Sequence, residues 1–444
     1  MAARSARLGE QVTRVQLDNG LTVVLKEMHT APVISTWIWY KVGSRNEVNG
    51  KTGASHWVEH MQFKGTRKYP SGAYDRLVSR VGGVFNAMTW LDYTAYFQTL
   101  PAAHVELALD IEADRMINSV FDPEEVERER TVIISERAMN ENRPTFLLAE
   151  EVQSTAIKAH PYHHEIIGWL SDLRTMTRDD LYEHYRTYYT PKNATLVLTG
   201  DFETSRMIEQ VKNYFATIPS RSVSCRPVTQ EPPQRGQRRV LIEGPGDTHY
   251  VQIVFHAPAA MDDDFFPVVV LDAILGGAKS FGGGGTTNRS SRLYRALVAT
   301  GLAADAGSWV GPTLDPYLWW FDMTVNNGHH PEEVERKLWE EIQRVQDEGV
   351  TQDELAKALK QVRAHFVYGA ESITNQARWL GFAETVTSQE WLSTYLERVA
   401  AVTQQDVQRV AREYLRGNQA TVGWYMGNGV PDTEGRNMQQ EDAE

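Results

Sequence analysis

The chain holds a single cysteine, Cys225, in 444 residues. That excludes an internal disulfide framework and any zinc site built on cysteine, so a metal here would have to be held by imidazole and oxygen. A long apolar run is also missing. The best stretch, FFPVVVLDAILGG, falls short of the roughly 18 residues a membrane helix needs and carries Asp272, so a buried helix or strand is expected in place of a membrane span. Positive charge is in deficit, with 45 Lys and Arg against 58 Asp and Glu and a formal charge of −13. A nucleic-acid binder needs a basic face, so that class is set aside; basic or neutral partners, such as basic or extended peptides, are favoured. The opening MAARSARLGEQ has no apolar middle of the kind an export signal carries. A chain whose signal had been removed would read the same, so the compartment stays open: periplasmic in that case, cytoplasmic otherwise.

What is present is ample core material. Hydrophobic residues make up 41% and charged ones 23%, the balance of a soluble globular protein, and the length suggests two or three domains. VTRVQLDNGLTVVLKE reads as two strands around a tight Asn19-Gly20 turn, and PVISTWIWYKVGS as a third strand. A helical stretch follows, then a helix with two strands, a long helical run to residue 142, a helix leading through Pro191 into a strand, and a last helix to about residue 217. The polar, proline-bearing segment SRSVSCRPVTQEPPQRGQR reads as a linker. Beyond it the order of elements returns: GGVFNAMTWLDYTAYFQTLPAAHVE and GLAADAGSWVGPTLDPYLWWFDMTVNNGHHPEE both read as strand, turn, strand, helix. The expected fold is therefore α+β, a tandem duplication of two homologous α/β sandwich domains with a period of ~210 residues. The boundaries expected are 1–217, a linker over 218–238, and 239–444 with a disordered tail from about 427.

The chemistry concentrates in GASHWVEHMQFKGT. On a helix, positions four apart lie about 40° apart and positions three apart about 60°, so His56, Glu59 and His60 share one face. Two imidazoles at that spacing can reach one zinc ion, with the glutamate beside its open position. The blander reading is a surface or hydrogen-bonded cluster, and a third ligand would decide between them. DPEEVERERTVIISERAMNEN offers one. Asp122 reads as the N-cap, Pro123 as the first helical residue and Glu125 as the third after the cap. Glu129 and Glu136 lie two turns apart on an arc that also holds Val132 and Ile133 and borders Val126 and Met139. Both carboxylates are thus expected to point into an apolar face, where a cation with its histidines would satisfy them. Salt bridges to Arg128 or Arg137 are the alternative.

HWVEHMQFKGT, GGVFNAMTWLDYTAYF, VERERTVIISERAMNENRP and HPYHHEIIG together resemble the inverted-zincin peptidases of the pitrilysin, insulin-degrading and mitochondrial processing peptidase family, from about residue 10 to 430. The resemblance implies one half of a clam-like peptidase chamber with one Zn2+ per chain. It implies that His56, His60 and Glu136 bind the zinc, that Glu59 activates water, that Glu129 supports the ligands from behind, and that Asn86 and Ala87 lie on the strand edge that receives the substrate peptide. It also marks a departure. Active relatives carry an arginine and a tyrosine in the second half that grip the substrate and stabilise the oxyanion. LVATGLAA here puts Leu297 and Ala304 in those places. The expectation is a zinc metalloendopeptidase acting as the metal-bearing subunit of a bacterial two-chain enzyme, a heterodimer whose homologous partner supplies the Arg and Tyr. A non-catalytic scaffold of the same fold is the alternative. Of the remaining features, AHPYHHEIIG, with His160, His163, His164 and Glu165, reads as a structural or substrate-lining loop. GGAKSFGGGGTTNRSSRLY lacks the Gly-Lys-Ser/Thr of a phosphate loop and reads as a mobile surface loop.

Overall fold

The computed structural model describes residues 11–223, 227–279 and 289–429. Cys225, most of the glycine-rich loop and the acidic tail beyond 429 lie outside them.

The first half runs β1 (Val12–Gln16), β2 (Thr22–Glu27), β3 (Val33–Tyr40), α1 (Ala54–Met61), α2 (Ala73–Arg80), β4 (Val84–Thr89), β5 (Thr94–Pro101), α3 (Val105–Asn118), α4 (Pro123–Glu141), α5 (Pro144–Ala156), α6 (Leu170–Thr175), α7 (Arg178–Tyr188), β6 (Ala194–Gly200) and α8 (Thr204–Phe215). The second runs β7 (Arg238–Gly244), β8 (Tyr250–Ala257), α9 (Phe265–Leu275), β9 (Ala303–Trp309), β10 (Tyr317–Val325), α10 (Pro331–Glu348), α11 (Gln352–Gly369), α12 (Ile373–Thr385), α13 (Gln389–Ala400), α14 (Gln404–Tyr414) and β11 (Thr421–Gly427).

The strands form two sheets, ordered β1-β2-β6-β3-β5-β4 and β7-β11-β8-β10-β9. Setting β1 aside, the orders match strand for strand. Each sheet has one parallel pair, β2 with β6 and β7 with β11, in the same place. The duplication expected from element order is therefore present in the topology as well, with β4 and β9 as corresponding edges.

Each half lends the other a helix. Across the first sheet lies α12 of the second half: Thr199 Oγ1 donates to Ile373 O at 2.8 Å, and Phe382 packs on Tyr93. So close is the approach that a Cβ on Gly381 would sit 2.0 Å from Trp39 Nε1. Across the second sheet lies α5 of the first half, and a Cβ on Gly423 would sit 2.3 Å from a methyl of Val152. Arg238 ties β7 to the end of α5 by donating to Thr155 O and Ala156 O at 2.6 and 2.7 Å. One core consequently mixes Trp37, Trp39 and Val197 of the first sheet with Leu380 and Phe382 of α12.

Local details depart from the expectations at several points. The β1–β2 connection is a wider loop, closed by Leu17 N–H donating to Leu21 O at 2.9 Å, with Gly20 at φ +88°. Asn19 is held there by Phe215 O and Ile218 O rather than serving the turn alone. The stretch after the glycine-rich loop folds as a short π-helical turn, Tyr294–Val298. Strand β11 was not expected: it is mostly buried and so lacks polar alternation, and Gly423 interrupts its apolar pattern.

Candidate metal centre

Two crossing helices and one sheet edge build the site. In α1, Trp57, Val58 and Met61 anchor the helix in the core, which turns His56, Glu59 and His60 toward α4 and β4. In α4, the Asp122 carboxylate accepts from Glu124 N at 2.9 Å and Glu125 N at 3.3 Å, so the helix starts where its cap residue and Pro123 put it. Val126 and Ile133 are buried, which points Glu129 and Glu136 at α1.

Among the described residues, one group of His, Cys, Asp and Glu side chains could hold a metal ion: His56, His60 and Glu136, with one donor atom from each lying within 4.8 Å of the others. Glu136 Oε2 is 3.9 Å from His56 Nε2 and 3.8 Å from His60 Nε2. Tetrahedral zinc with bonds of roughly 2.0 to 2.1 Å sets its donors roughly 3.4 Å apart, so Glu136 Oε2 lies about half an ångström beyond that spacing from each imidazole. The donor set, two imidazoles and a carboxylate, is of the kind zinc takes with one position left open.

The surrounding groups set protonation. Glu129, buried, has Oε1 2.8 Å from His60 Nδ1 and Oε2 2.5 Å from Lys64 Nζ. A carboxylate can only accept, so the proton of a neutral His60 sits on Nδ1 and its Nε2 lone pair faces the site. Burial works to raise the Glu129 carboxyl, but the hydrogen bonds from His60 and Lys64 outweigh it and hold it below the usual range. Burial likewise presses His60 down, yet the Glu129 hydrogen bond and the charges of Glu59 and Glu136 leave it raised. His56, buried and beside His60, is pushed down to about 3 and stays neutral. Burial lifts Glu59 above the carboxylate norm, against a 2.5 Å hydrogen bond donated by Thr89 Oγ1 to its Oε2.

The apolar arc expected on α4 is only half apolar. Glu129 and Ile133 are buried, but Val132 and Met139 are 48% and 67% exposed and the Glu136 side chain is 39% exposed, because the face beyond Ile133 opens to solvent beside the site. Nor do the arginines take these carboxylates. Arg128 pairs with Glu124 and Glu125, and Arg137 with Glu141 and Glu150. Lys64, four residues past His60, and Thr89 on β4 were missed. The spacing of Lys64 gave a signal; Thr89 gave none.

Asn86 and Ala87 stand on β4, the outermost strand of the first sheet, with Asn86 exposed. Thr89, at the end of the same strand, ties that edge to Glu59. A cavity of about 720 Å³ begins at Thr89 and Trp90 and reaches Gly307 and Trp309 on β9, the corresponding edge of the second half. Leu297 is buried in the core that the two halves share and Ala304 is an exposed methyl on β9, so neither side chain offers a hydrogen-bond donor. The histidines of the 160–165 segment do not converge on an ion. His160 Nε2 meets Asp315 at 3.1 Å and His164 Nδ1 donates to Glu165 O at 2.9 Å.

Comparison with known proteins extends over the whole fold. A family profile described as Insulinase (Peptidase family M16) matches residues 22–168, and one described as Peptidase M16 inactive domain matches 175–362. The zinc protease PqqE of Helicobacter pylori is 30% identical over 414 residues, which cover 92% of this chain and 91% of that protein. The mitochondrial-processing peptidase subunit beta of Lentinula edodes is 26% identical, with 93% and 89% covered. Among solved structures, a protease from Helicobacter pylori superposes with a TM-score of 0.88 at 29% identity, covering 94% of this chain and 99% of that one. The peptidase M16 inactive domain from Pseudomonas fluorescens superposes with a TM-score of 0.82 at 18% identity, covering 95% and 98%, a likeness of fold alone.

Proposed function

The chain belongs to the insulinase family of peptidases, M16, and from that premise we propose that it is a zinc-dependent endopeptidase in which His56, His60 and Glu136 hold the ion and Glu59 is the base. The observation that carries this reading is the convergence of those three side chains within 4.8 Å, with Glu59 buried on the same helix face. When bound, zinc supplies Lewis acidity, acidifying water and polarising a carbonyl. Glu59 takes the proton from the attacking water and delivers it to the leaving amine. Its raised pKa suits the task, and Thr89, by occupying Oε2, leaves Oε1 to handle the proton. Glu129 and Lys64 hold the His60 ring in the tautomer that offers Nε2. Asn86 and Ala87 stand on β4, the outermost strand of its sheet among the described residues, an edge to which an extended peptide adds by main-chain hydrogen bonds once the Ala87 N–H leaves the Asn86 side chain. The substrates are peptides or small unfolded proteins.

The chain acts as the metal-bearing subunit of a heterodimer. A buried Leu297 and the methyl of Ala304 give the oxyanion nothing to bind, so a homologous partner supplies an arginine and a tyrosine. The test is to assay cleavage of a fluorogenic peptide by the chain alone and with a co-expressed homologous subunit. Cleavage is expected only with the partner, and is lost with chelator or Glu59→Gln. A chain that cleaves at full rate alone overturns the partner. One that neither binds zinc nor cleaves in any combination supports a scaffold instead.

A further inference from the structure

The loop that enters α1 carries a buried carboxylate with no place in the chemistry above. Glu47 Oε2 accepts from Gly53 N–H and Oε1 from Ser55 N–H, both at 2.7 Å. The first amides of any helix lack partners within it, and a side chain at the cap position usually takes one. Here that position is Gly53, at φ +85°, and a Cβ on it would sit 2.4 Å from Ile167 O. No capping side chain fits, so the acceptor comes from upstream, and one carboxylate takes two amides. The second of them belongs to Ser55, the neighbour of His56. Ser55 is itself pinned, its Oγ donating to Gly43 O at 3.0 Å and lying 3.1 Å from His184 Nε2. The rest of the loop hangs on Asp172, whose Oδ2 accepts from Gly50 N, Thr52 N and Thr52 Oγ1 at 3.0, 3.1 and 2.8 Å.

The length of α1 gives this clamp its importance. With 8 residues the helix has few hydrogen bonds of its own, and helices that short are marginal without outside anchors. A slip of one residue turns a helix by about 100°, enough to carry His56 and His60 away from Glu136.

We propose that Glu47 is a positioning residue for the metal centre: by holding the amides of the cap Gly53 and of Ser55, the second residue of α1, it fixes the start and rotation of that helix, and so the aim of His56 and His60 at Glu136. This rests on the zinc reading above, and its test separates the two. Zinc affinity is measured by competition with a chromophoric chelator, well below the melting temperature, for the wild-type chain, Glu47→Ala and Glu47→Gln. The visible spectrum of the cobalt-loaded protein and the melting of the metal-free form are recorded beside it. Supporting outcomes on support groups of this kind are a zinc affinity weaker by about 10- to 100-fold in Glu47→Ala and a shifted cobalt band. Glu47→Gln keeps one acceptor and is expected between alanine and wild type; should the alanine variant not fold, that intermediate loss, about threefold or more, carries the test. A Glu47→Ala protein that melts lower yet binds zinc and absorbs in the cobalt form as wild type does would overturn the proposal, leaving Glu47 a structural cap only. A wild-type chain that takes up no zinc overturns the metal reading itself, and this proposal with it.

Discussion

Corresponding helices follow corresponding strands, α1 after β3 in the first half and α9 after β8 in the second. In α1 the anchoring apolar residues leave a polar face with His56, Glu59 and His60 at the crossing with α4. In α9 nearly every residue is buried, and the one carboxylate, Asp272, is consumed internally by Ser308 Oγ at 2.6 Å and Trp319 Nε1 at 2.8 Å. The same topology thus gathers two histidines and a glutamate on an open helix face beside Glu136 in one half and only packs in the other. What separates them is whether the helix keeps a face uncovered. The halves are nonetheless not independent, because α5 and α12 are exchanged between them.

The sharpest test of this contrast is Glu59→Gln against Asp272→Asn. The first is expected to lower kcat by about 10²- to 10⁴-fold in the assembled enzyme with zinc retained. The second is expected to leave kcat unchanged and to cost about 1 to 2 kcal/mol of stability, read by thermal melting. A kinetic defect in Asp272→Asn would break the contrast. Next come the exchanged helices. Gly381→Val drives a side chain into Trp39 and Gly423→Val drives one into Val152, so each is expected to cost about 1 to 3 kcal/mol. Because each helix belongs to one half and its sheet to the other, chemical denaturation should still show a single transition in both variants. Two separated transitions would mean that the halves fold apart.

An effect confined to acid pH concerns the polar contact between halves. Asp315 of the second half is pulled down to about 2, first by His160 and then, against burial, by Arg45 of the first half. A depressed carboxyl stabilises the fold above its unfolded value, near 3.9, and that share is lost as pH falls through about 2; its size is about 2 kcal/mol. Asp92 works with the opposite sign: burial pushes it up to about 6, which costs stability as pH rises from about 4 to 6. Melting temperatures of wild type and Asp315→Asn between pH 6 and 2 should therefore converge toward the acid end. Parallel curves would remove this contact from the account.

Helix spacing made His56, Glu59 and His60 legible, and cap chemistry placed α4 with Glu129 and Glu136 on its inner side, because both signals are local. The duplication was legible from element order. The exchanged helices were not, since PTFLLAEEVQSTA gives no sign of which sheet it will cover. Val132 and Met139 misled for a related reason: periodicity marks an apolar arc but not where the covering neighbour ends. Lys64 could have been found four residues after His60. Glu47 and Thr89 act on α1 from a loop and a strand, through contacts that no local pattern records.

Metal binding is expected in the first half and not in the second. A crystal of the zinc-loaded chain measured at the zinc absorption edge tests it most directly. One anomalous peak is predicted per chain, between His56, His60 and Glu136, and none in the second half. No peak there, or a peak near α9, would contradict the account.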